Sequence, residues 1–336
     1  MMTRSQSRVM PFKDPLLAFV PLPFRQLYFP SGFPVRVSSN MKCVLDAARE
    51  SWGSCRQQYE APPLEARYII CKGPRRHAPN PVFRAQSHLL TMVADEHNYA
   101  CGDLERGFGS AWITEATVSH LEFFRYTFLE GLVSCLVENR YLVAIHAACV
   151  VKDGHGILLT ADSGTGKSSL AYACARRGWT YVSDDASSIV RNAAGRIVIG
   201  NSTLFRFRPS APDLFPELQE SIPVEPAPVK FRRGKPTFEV RTDSLNIKTA
   251  EQAHIDHVVF LHRDPQMSET ARITRVTREE AMRRLMPDIW PAEAAVHQER
   301  SAAVARLLEA SIGKLTYCSL SPAIDALEQV VSRGRI

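Results

Sequence analysis

Apolar residues recur at helical spacing in two segments of the first 140 residues. Over residues 41–55, apolar side chains fall on one helical face, which predicts a helix. Residues 118–140 predict a second, longer helix, with the apolar stripe Leu121, Phe124, Phe128, Leu132 and Cys135. Between the two, 65–73 predicts a strand and 81–103 predicts two strands around a turn, whereas 1–40 shows no clear periodicity. We therefore expect an α+β domain over residues 1–117 and a connecting helix at 118–140.

The pattern changes at residue 141, where continuous apolar runs replace the helical stripe. "YLVAIHAACVV" predicts a buried strand, "KDG" at 152–154 a hairpin turn, and "GILLTA" a second strand. A helix is predicted over 166–177 with Gly178 at its C-terminal cap, then the strand "WTYVSDD" and a hairpin over 187–201. The remainder predicts the strand "HIDHVVFLHRD", helices at 277–288 and 293–311, the strand "KLTYCSL" and a helix from 322.

These elements predict an α/β domain over residues 141–336, a mixed sheet flanked by helices around a P-loop. Six prolines lie within residues 209–228, at 209, 212, 216, 223, 226 and 228. Proline removes backbone donors, so this segment is predicted to be a surface loop without regular structure.

Composition narrows the function classes. The 336 residues are 45% hydrophobic and 23% charged, which is typical of a soluble globular protein. The best apolar run, "LLAFVPLPF", is interrupted by two prolines, and the N-terminus lacks the apolar core of a signal peptide, so we expect no membrane segment. The eight cysteines form no C-x-x-C pair, which favours reduced thiols in a cytoplasmic protein.

The net charge of +6 is dispersed, apart from the cluster "KFRRGK" at 230–235. A nucleic-acid partner is therefore not expected, because such proteins concentrate their basic residues on one surface.

The chemistry-bearing motif is "ADSGTGKSS" at residues 161–169. Its G-x-G-K-S core arises by chance in roughly one chain in a hundred of this length, and it lies between a predicted strand and a predicted helix. Such a loop holds nucleotide phosphates with consecutive backbone amides. Alanine replaces the first glycine of the usual motif at 161. The predicted nucleotide-binding residues are Asp162, Ser163, Gly164, Thr165, Gly166, Lys167, Ser168 and Ser169. Lys167 is expected to reach the phosphates and Ser168 to ligate Mg²⁺ of bound ATP.

Asp184 and Asp185 close the strand that follows the motif's helix. In open α/β sheets, ligands lie at the carboxyl ends of strands, so these acids are expected beside the phosphates. One could ligate Mg²⁺ and the other could accept a proton from an attacking hydroxyl. A turn or helix cap is the structural alternative for the pair. His146, amid apolar neighbours, would by itself be a core residue.

The order of these motifs resembles the catalytic domain of bacterial HPr kinase/phosphorylase, whose fold is related to phosphoenolpyruvate carboxykinase. The resemblance rests on "IHAACVVKDGHGILLTADSGTGKSS" followed by "ARRGWTYVSDD" and covers about residues 143–200. It implies that Lys167 and Ser168 hold nucleotide and metal and that Asp184 is the catalytic base. It also implies that Asp185 and His146 assist, with Asp185 as a second metal ligand, and it hints at a homo-oligomer.

Beyond residue 200 the family's R-G-x-G signature is replaced by "GNSTLFRFRPSAPDLF", so HPr itself is not the expected substrate. The sequence is more similar to HPr-kinase-related proteins, some of which phosphorylate a precursor peptide. This implies transfer of the γ-phosphoryl group of ATP to a hydroxyl, most simply a serine of a protein or peptide. A small-molecule kinase and a non-catalytic nucleotide-binding module remain open alternatives.

Three basic and histidine features are interpreted more simply. Arg206, Arg208 and the basic cluster at 230–235 are candidates for phosphate or substrate contact, although the favoured interpretation of each is a plain surface residue. His254, His257 and His262 are interpreted as structural, because strand residues three apart face opposite sides and cannot converge on a metal.

Overall fold

The computed structural model describes residues 20–162, 164–221, 238–267, 270–288 and 294–336. The chain is a mixed α/β protein and divides into two compact units, Met1–Arg140 and Tyr141–Ile336. The predicted basic cluster at 230–235, the loop residue Ser163 and residues 222–228 of the proline-rich segment lie outside the described residues.

The first unit begins with β1 (Phe24–Tyr28), β2 (Val35–Ser39), α1 (Lys42–Trp52) and β3 (Leu64–Cys71). Then come β4 (Val82–Gln86), β5 (Leu89–Val93), β6 (Tyr99–Asp103) and β7 (Phe108–Thr114). It ends with α2 (Glu115–Ser119), α3 (Leu121–Phe124), a π turn (Arg125–Leu129) and α4 (Glu130–Tyr141).

In the described part of this unit, seven strands form one sheet in the order β1-β2-β3-β7-β6-β5-β4. β2, β3 and β7 are parallel neighbours, and the other pairings are antiparallel. Strand residues alternate between faces: Leu90 and Met92 of β5 are buried, whereas Leu89 and Val93 are exposed. The buried face packs on α4, whose Leu132 would lie 3.0 Å from a Cβ placed at Gly109.

The prediction of two strands over residues 81–103 was wrong, because three strands form there. The second turn is made by Asp95, whose carboxylate accepts the backbone N–H groups of His97 and Asn98 at 2.9 and 2.8 Å. An aspartate that bonds to backbone groups ahead of it favours a turn. The polar run from Asp95 to Asn98 therefore separates two strands.

The helix predicted over 118–140 is broken near its start. His120 has φ −85° and ψ 71°, outside helical geometry, and it separates α2 from α3. The Thr114 side chain caps α2 by accepting from the Thr117 N–H, so the chain begins a helix earlier than the apolar stripe indicates. From Leu121 to Tyr141 the helix continues through the π turn.

The second unit opens with β8 (Leu142–Lys152), β9 (His155–Thr160), α5 (Lys167–Arg176), β10 (Thr180–Ser183), β11 (Ala186–Val190) and β12 (Ile197–Gly200). It continues with β13 (Leu204–Phe207), β14 (Phe238–Arg241), β15 (Lys248–Thr249), β16 (Gln252–Arg263) and β17 (Arg272–Arg275). It closes with α6 (Arg278–Leu285), α7 (Ala294–Leu307), β18 (Ser311–Tyr317) and α8 (Leu320–Arg333).

The main sheet of this unit is mixed, as predicted. Among the described residues it has nine strands in the order β15-β10-β8-β11-β12-β16-β18-β17, with β9 pairing both β8 and β16. The predicted hairpin turn is confirmed. Asp153 and Gly154 both have positive φ, 51° and 84°, which is the requirement of a tight two-residue turn.

Helices cover both faces of this sheet. On one face, Val150, Ile157 and Leu159 pack with α5 and α8 and with an aromatic group around Phe205. On the other face, Cys149 and Leu158 pack with α6 and α7. Because β8 and β9 are buried on both faces, their sequences are apolar runs without alternation.

The proline-rich segment is only partly the surface loop that was predicted. Residues Ala211–Asp213 and Pro216–Ser221 form 3₁₀ turns. Phe215 and Leu218 are buried in the same core as α5, so apolar residues between the prolines anchor this stretch to the domain.

None of the described helices combines the length and the apolar character that crossing a membrane would take. All eight cysteines lie in described residues and are free thiols.

Candidate nucleotide site

The loop after β9 contains two glycines in the left-handed backbone region. Gly164 and Gly166 have φ of 94° and 103°, values that side-chain-bearing residues adopt only under strain. The Thr165 N–H and hydroxyl both contact the Asp162 carbonyl, at 3.2 and 2.8 Å. This tight turn leads directly into α5, whose first residue is Lys167. Two glycines with positive φ thus immediately precede the N-terminus of α5, and a helix N-terminus favours an anion.

Lys167 is 5% exposed, although it carries an ammonium group. Its Nζ donates to the Ala161 carbonyl at 2.7 Å and lies 2.8 Å from Nε2 of His146. A buried charge requires such partners. The replacement of the usual glycine by Ala161 is compatible with this arrangement, because the contact uses only the backbone carbonyl of residue 161.

His146 links the loop to the acidic end of β10. Its Nδ1 lies 3.0 Å from Oδ1 of Asp185. Because an ammonium group can only donate, Nε2 of His146 accepts from Lys167, and Nδ1 carries the proton that is donated to Asp185. Asp185, His146 and Lys167 thus form a continuous hydrogen-bonded chain between the two predicted halves of the site.

Asp184 faces a different environment from its neighbour. It is 7% exposed, and its Oδ2 accepts the Arg206 backbone N–H at 2.7 Å. Burial raises the pKa of its carboxyl to about 6, with a further upward contribution from Asp185 and opposing contributions from Arg206. Desolvation disfavours the charged form of a carboxyl, so Asp184 binds a proton more readily than a surface aspartate.

The two aspartates occupy the gap between β10, which ends at Ser183, and β11, which begins at Ala186. Between the strands the alternation of side-chain direction is interrupted. The Asp184 carboxylate contacts β13 through the Arg206 N–H, whereas the Asp185 carboxylate contacts His146 of β8. In the pairing of β11 with β8, Ala186 is the register partner of His146.

Two arginines of the segment after β12 contact this region. The Arg208 guanidinium would lie 3.3 Å from a Cβ at Gly164. The Arg206 side chain instead pairs with Glu239 of β14, with Nε and Oε1 3.1 Å apart. The structure therefore brings Arg208 to the loop, whereas Arg206 meets Asp184 through its backbone.

Two tyrosines at the site were missed by the sequence analysis. The Tyr317 hydroxyl donates to the Thr165 carbonyl at 3.1 Å, and it would lie 3.1 Å from a Cβ at Gly166. Burial raises the pKa of Tyr317 to about 12. Burial and the neighbouring Asp184 raise the pKa of Tyr181, whose hydroxyl donates to the Leu204 carbonyl at 2.8 Å. Neither tyrosine carries a local sequence signal, because each bonds to a distant residue. Tyr317 is 152 residues from Thr165, and Tyr181 is 23 residues from Leu204.

The donor set suits a hard cation held together with phosphate. Ser168 and Ser169 are partly exposed at the start of α5, and Asp185 is also partly exposed. Hydroxyl and carboxylate oxygens are the ligands that Mg²⁺ prefers, and Mg²⁺ usually takes one or two from protein and the rest from water and substrate. Among the described residues, no group of three or more His, Cys, Asp or Glu side chains could hold a metal alone.

The histidines of β16 lie in a different setting. His254 Nδ1 and His155 Nδ1 lie 3.3 and 3.4 Å from the Asp256 carboxylate. His257 is 1% exposed, and neither of its ring nitrogens has a hydrogen-bond partner among the described residues.

Among known proteins, the likeness to this chain is structural and distant. No protein-family model matches the chain, and no curated protein matches it. Among solved structures, the chain is similar to the HPr(Ser) kinase/phosphatase from Coxiella burnetii, with 15% identity and a TM-score of 0.29. The match covers 56% of this chain and 88% of that chain. At this TM-score the likeness says nothing about activity.

Proposed function

We propose that the second unit is an ATP- and Mg²⁺-dependent kinase that transfers the γ-phosphoryl group to a serine hydroxyl of a protein or peptide. The observation that carries the proposal is the chain of contacts Asp185–His146–Lys167. It joins a glycine loop at a helix N-terminus to Asp185, one of the two carboxylates at a strand end. Phosphoryl transfer requires these two groups together, since one holds the phosphates and the other serves the metal and the attacking hydroxyl.

The loop residues supply the phosphate contacts in this proposal. Amides from Gly164 to Ser169 and the Lys167 ammonium would bind the phosphates, and Arg208 lies close enough to Gly164 to add a second cation. Ser168 and Asp185 would hold Mg²⁺, which when bound offsets the negative charge of the phosphates. The motif order that resembles HPr kinases supports the same roles.

Asp184 is the proposed general base. With a pKa of about 6 it is ionised at pH 7, yet basic enough to accept a proton as the hydroxyl attacks. In this step the serine O–H bond breaks and its proton moves to the Asp184 carboxylate. The oxygen forms a bond to the γ-phosphorus, the bond to the β-phosphate oxygen breaks, and ADP leaves. His146 positions the side chains of Asp185 and Lys167 through its two ring nitrogens. It takes no proton from the substrate in this proposal.

The choice of acceptor is tested by incubating the full chain with γ-labelled ATP and Mg²⁺. Serine-containing peptides and cell-extract proteins form one set of acceptors, and sugars and alcohols form the other. The proposal expects label on a serine hydroxyl of the first set. Label only on small molecules would instead support a small-molecule kinase on the same scaffold.

A non-catalytic module is separated from a kinase by a second measurement. Such a module binds ATP, and the Asp184→Asn variant binds it equally well, but neither transfers phosphate. The kinase proposal expects binding by both proteins and transfer by the parent alone. Glu309→Gln is the matched control, because it removes an exposed carboxylate of the same unit outside the site.

A further inference from the structure

In the described part of the first unit, one face of the sheet presents exposed strand residues, among them Arg84, Leu89 and Val93. Register partners on neighbouring strands lie side by side with their side chains on the same face. One row of partners across β1, β2 and β3 is Arg25, Ser38 and Arg67, and the next is Leu27, Arg36 and Glu65. The face opposite to the one that packs on α4 therefore presents three arginines within two adjacent rows.

These two rows line a cleft of about 580 Å³, together with Leu22 and Gln26. Its charged lining residues are three arginines and one glutamate, so the cleft carries a net charge of +2. Leu27, which is 40% exposed, adds an apolar position at its edge. Charge and apolar surface together favour a ligand that has carboxylates and apolar groups.

The arginines are held in place by neighbouring groups. Arg36 pairs with Glu65, the Arg67 guanidinium lies 5.2 Å from the centre of the Phe108 ring, and Arg25 donates to the Leu22 carbonyl at 3.1 Å. One carboxylate cannot neutralise three guanidinium groups. Each guanidinium has five N–H donors and binds carboxylates with two of them side by side.

The cleft opens at the edge of the sheet. Among the described residues β1 pairs only with β2 and ends the strand order, and its residues 25–27 are all exposed. A terminal strand presents backbone donors and acceptors on the side away from its partner. Only a ligand with its own extended amide backbone can pair with them, which selects a polypeptide over a nucleic acid or a lipid surface.

We propose that the β1 edge and the adjoining arginine cleft bind an extended acidic segment of a partner polypeptide. The segment adds a strand beside β1. Its alternate side chains are acidic and face Arg25 and the neighbouring guanidinium groups. This binding is independent of the proposed kinase activity, because it requires neither nucleotide nor the second unit's site.

The test measures binding of fluorescein-labelled octapeptides to the full chain by fluorescence anisotropy without nucleotide. One peptide alternates Glu and Val, one alternates Lys and Val, and one has the first composition with its four Glu and four Val in separate blocks. We expect the alternating acidic peptide to bind most tightly. Backbone N-methylation at alternate positions should abolish its binding, because methylation removes the donors that pair with β1.

Variants of the cleft locate the binding. Arg25→Ser and Arg67→Gln should each weaken binding of the alternating acidic peptide by about tenfold, the loss expected for one charge-assisted contact. Arg84→Gln on β4 is the matched control, since it removes an exposed arginine from the same face at the opposite end of the sheet. Circular dichroism of each variant establishes that the unit is folded.

Several results would overturn the proposal. Equal affinity for the alternating and block peptides, or for the N-methylated peptide, would exclude strand addition. Equal losses for Arg84→Gln and Arg25→Ser would exclude the cleft. Binding of oligothymidylate or of phosphatidylserine vesicles that Arg25→Ser abolishes, with no peptide binding, would assign the cleft to nucleic acid or lipid.

Discussion

Lys167 and Asp184 are two buried charged groups whose partners differ in kind. The Lys167 ammonium is matched by a carbonyl and an imidazole. The Asp184 carboxylate has one backbone N–H at 2.7 Å, and burial raises its pKa. Groups with strongly shifted pKa values, such as Asp184, concentrate at functional sites. The predictions at this scale concern Lys167 and Asp184.

Replacing Lys167 by Ala should reduce phosphoryl transfer by at least about a thousandfold, because this ammonium is the main cation of the loop. Initial rates with γ-labelled ATP measure the effect. Lys248→Ala, an exposed lysine on β15, is the control and should leave the rate unchanged. Transfer that survives Lys167→Ala would remove the kinase assignment.

Asp184→Asn should abolish transfer and stabilise the protein at pH 7. The folded-state pKa of about 6 exceeds the unfolded value of 3.8, so the ionised form costs free energy in the folded state. The cost develops as pH rises from about 4 to 6 and is complete above pH 6. Its upper limit is about 3 kcal/mol. Asparagine keeps the acceptor for the Arg206 N–H and removes the charge.

Urea unfolding of Asp184→Asn and the parent protein at pH 7 and pH 4.5 measures this difference. The stabilisation should be present at pH 7 and should shrink at pH 4.5, where the parent carboxyl is largely protonated. An equal difference at both pH values would show that the ionised carboxylate is not the source of the cost.

The same pKa sets the pH dependence of the reaction. A general base must be ionised, so kcat/KM, which reports the pKa of the free enzyme, should rise with pH through about 6 and level off near pH 7. The pH–rate profile of the parent protein over pH 5–8 measures this. A profile that is flat through pH 6 would argue against Asp184 as the base.

The turn between β9 and α5 is the element on which the site depends. Gly164 and Gly166 both have positive φ, and a side chain on either would approach a neighbour. Gly178, after α5, also has positive φ, but a Cβ placed there would have nothing within 4 Å. Substitutions at these three glycines can therefore distinguish the effect of backbone strain from the effect of crowding at the site.

Gly166→Ala should weaken ATP binding by about tenfold and lower the free energy of unfolding by about 1–2 kcal/mol. In addition to the backbone strain, the new Cβ would lie only 3.1 Å from the Tyr317 hydroxyl. Gly178→Ala carries only the strain, so it should lower stability by about 1 kcal/mol and leave ATP affinity unchanged. Isothermal titration calorimetry and urea unfolding measure both effects. Equal ATP affinities for the two variants would contradict a role for the turn.

At the scale of the whole molecule, we expect His257 to make the second unit sensitive to acid. Its ring is buried without hydrogen-bond partners among the described residues, and burial lowers its pKa below 6.5. A neutral histidine in the fold that charges readily on unfolding destabilises the fold as pH falls below the unfolded pKa. This effect opposes that of Asp184, whose protonation on acidification stabilises the fold.

The free energy of unfolding should therefore fall less between pH 7 and pH 5 in the His257→Leu variant than in the parent protein. Urea unfolding of the parent and the variant across that range is the measurement. His262→Gln, an exposed histidine on the same strand, is the control and should keep the parent's slope. A variant slope equal to the parent's would show that His257 does not titrate on unfolding.

The sequence alone predicted the elements whose signals are local. The hairpin turn at Asp153–Gly154, the strands β8 and β9 and the helix after the glycine loop follow from apolar runs and from glycine at positions of positive φ. Those signals act between residues a few positions apart, so they can be recognised in a single sequence. The break at His120, the third strand after Asp95 and the burial of Phe215 depended on side-chain contacts that periodicity does not encode.

The sequence also indicated which residues could form a nucleotide site, from residue types and spacing. Only the tertiary structure decided how they meet. Asp185 and Asp184 diverge because β10 ends at Ser183, His146 contacts Lys167 across 21 positions, and Tyr317 meets Thr165 across 152. These contacts arise from the pairing of β8 with both β9 and β11, and from β18 standing in the same sheet as β9. The stability of such long-range pairing depends on the packing of the whole core, and no short segment of the chain determines it.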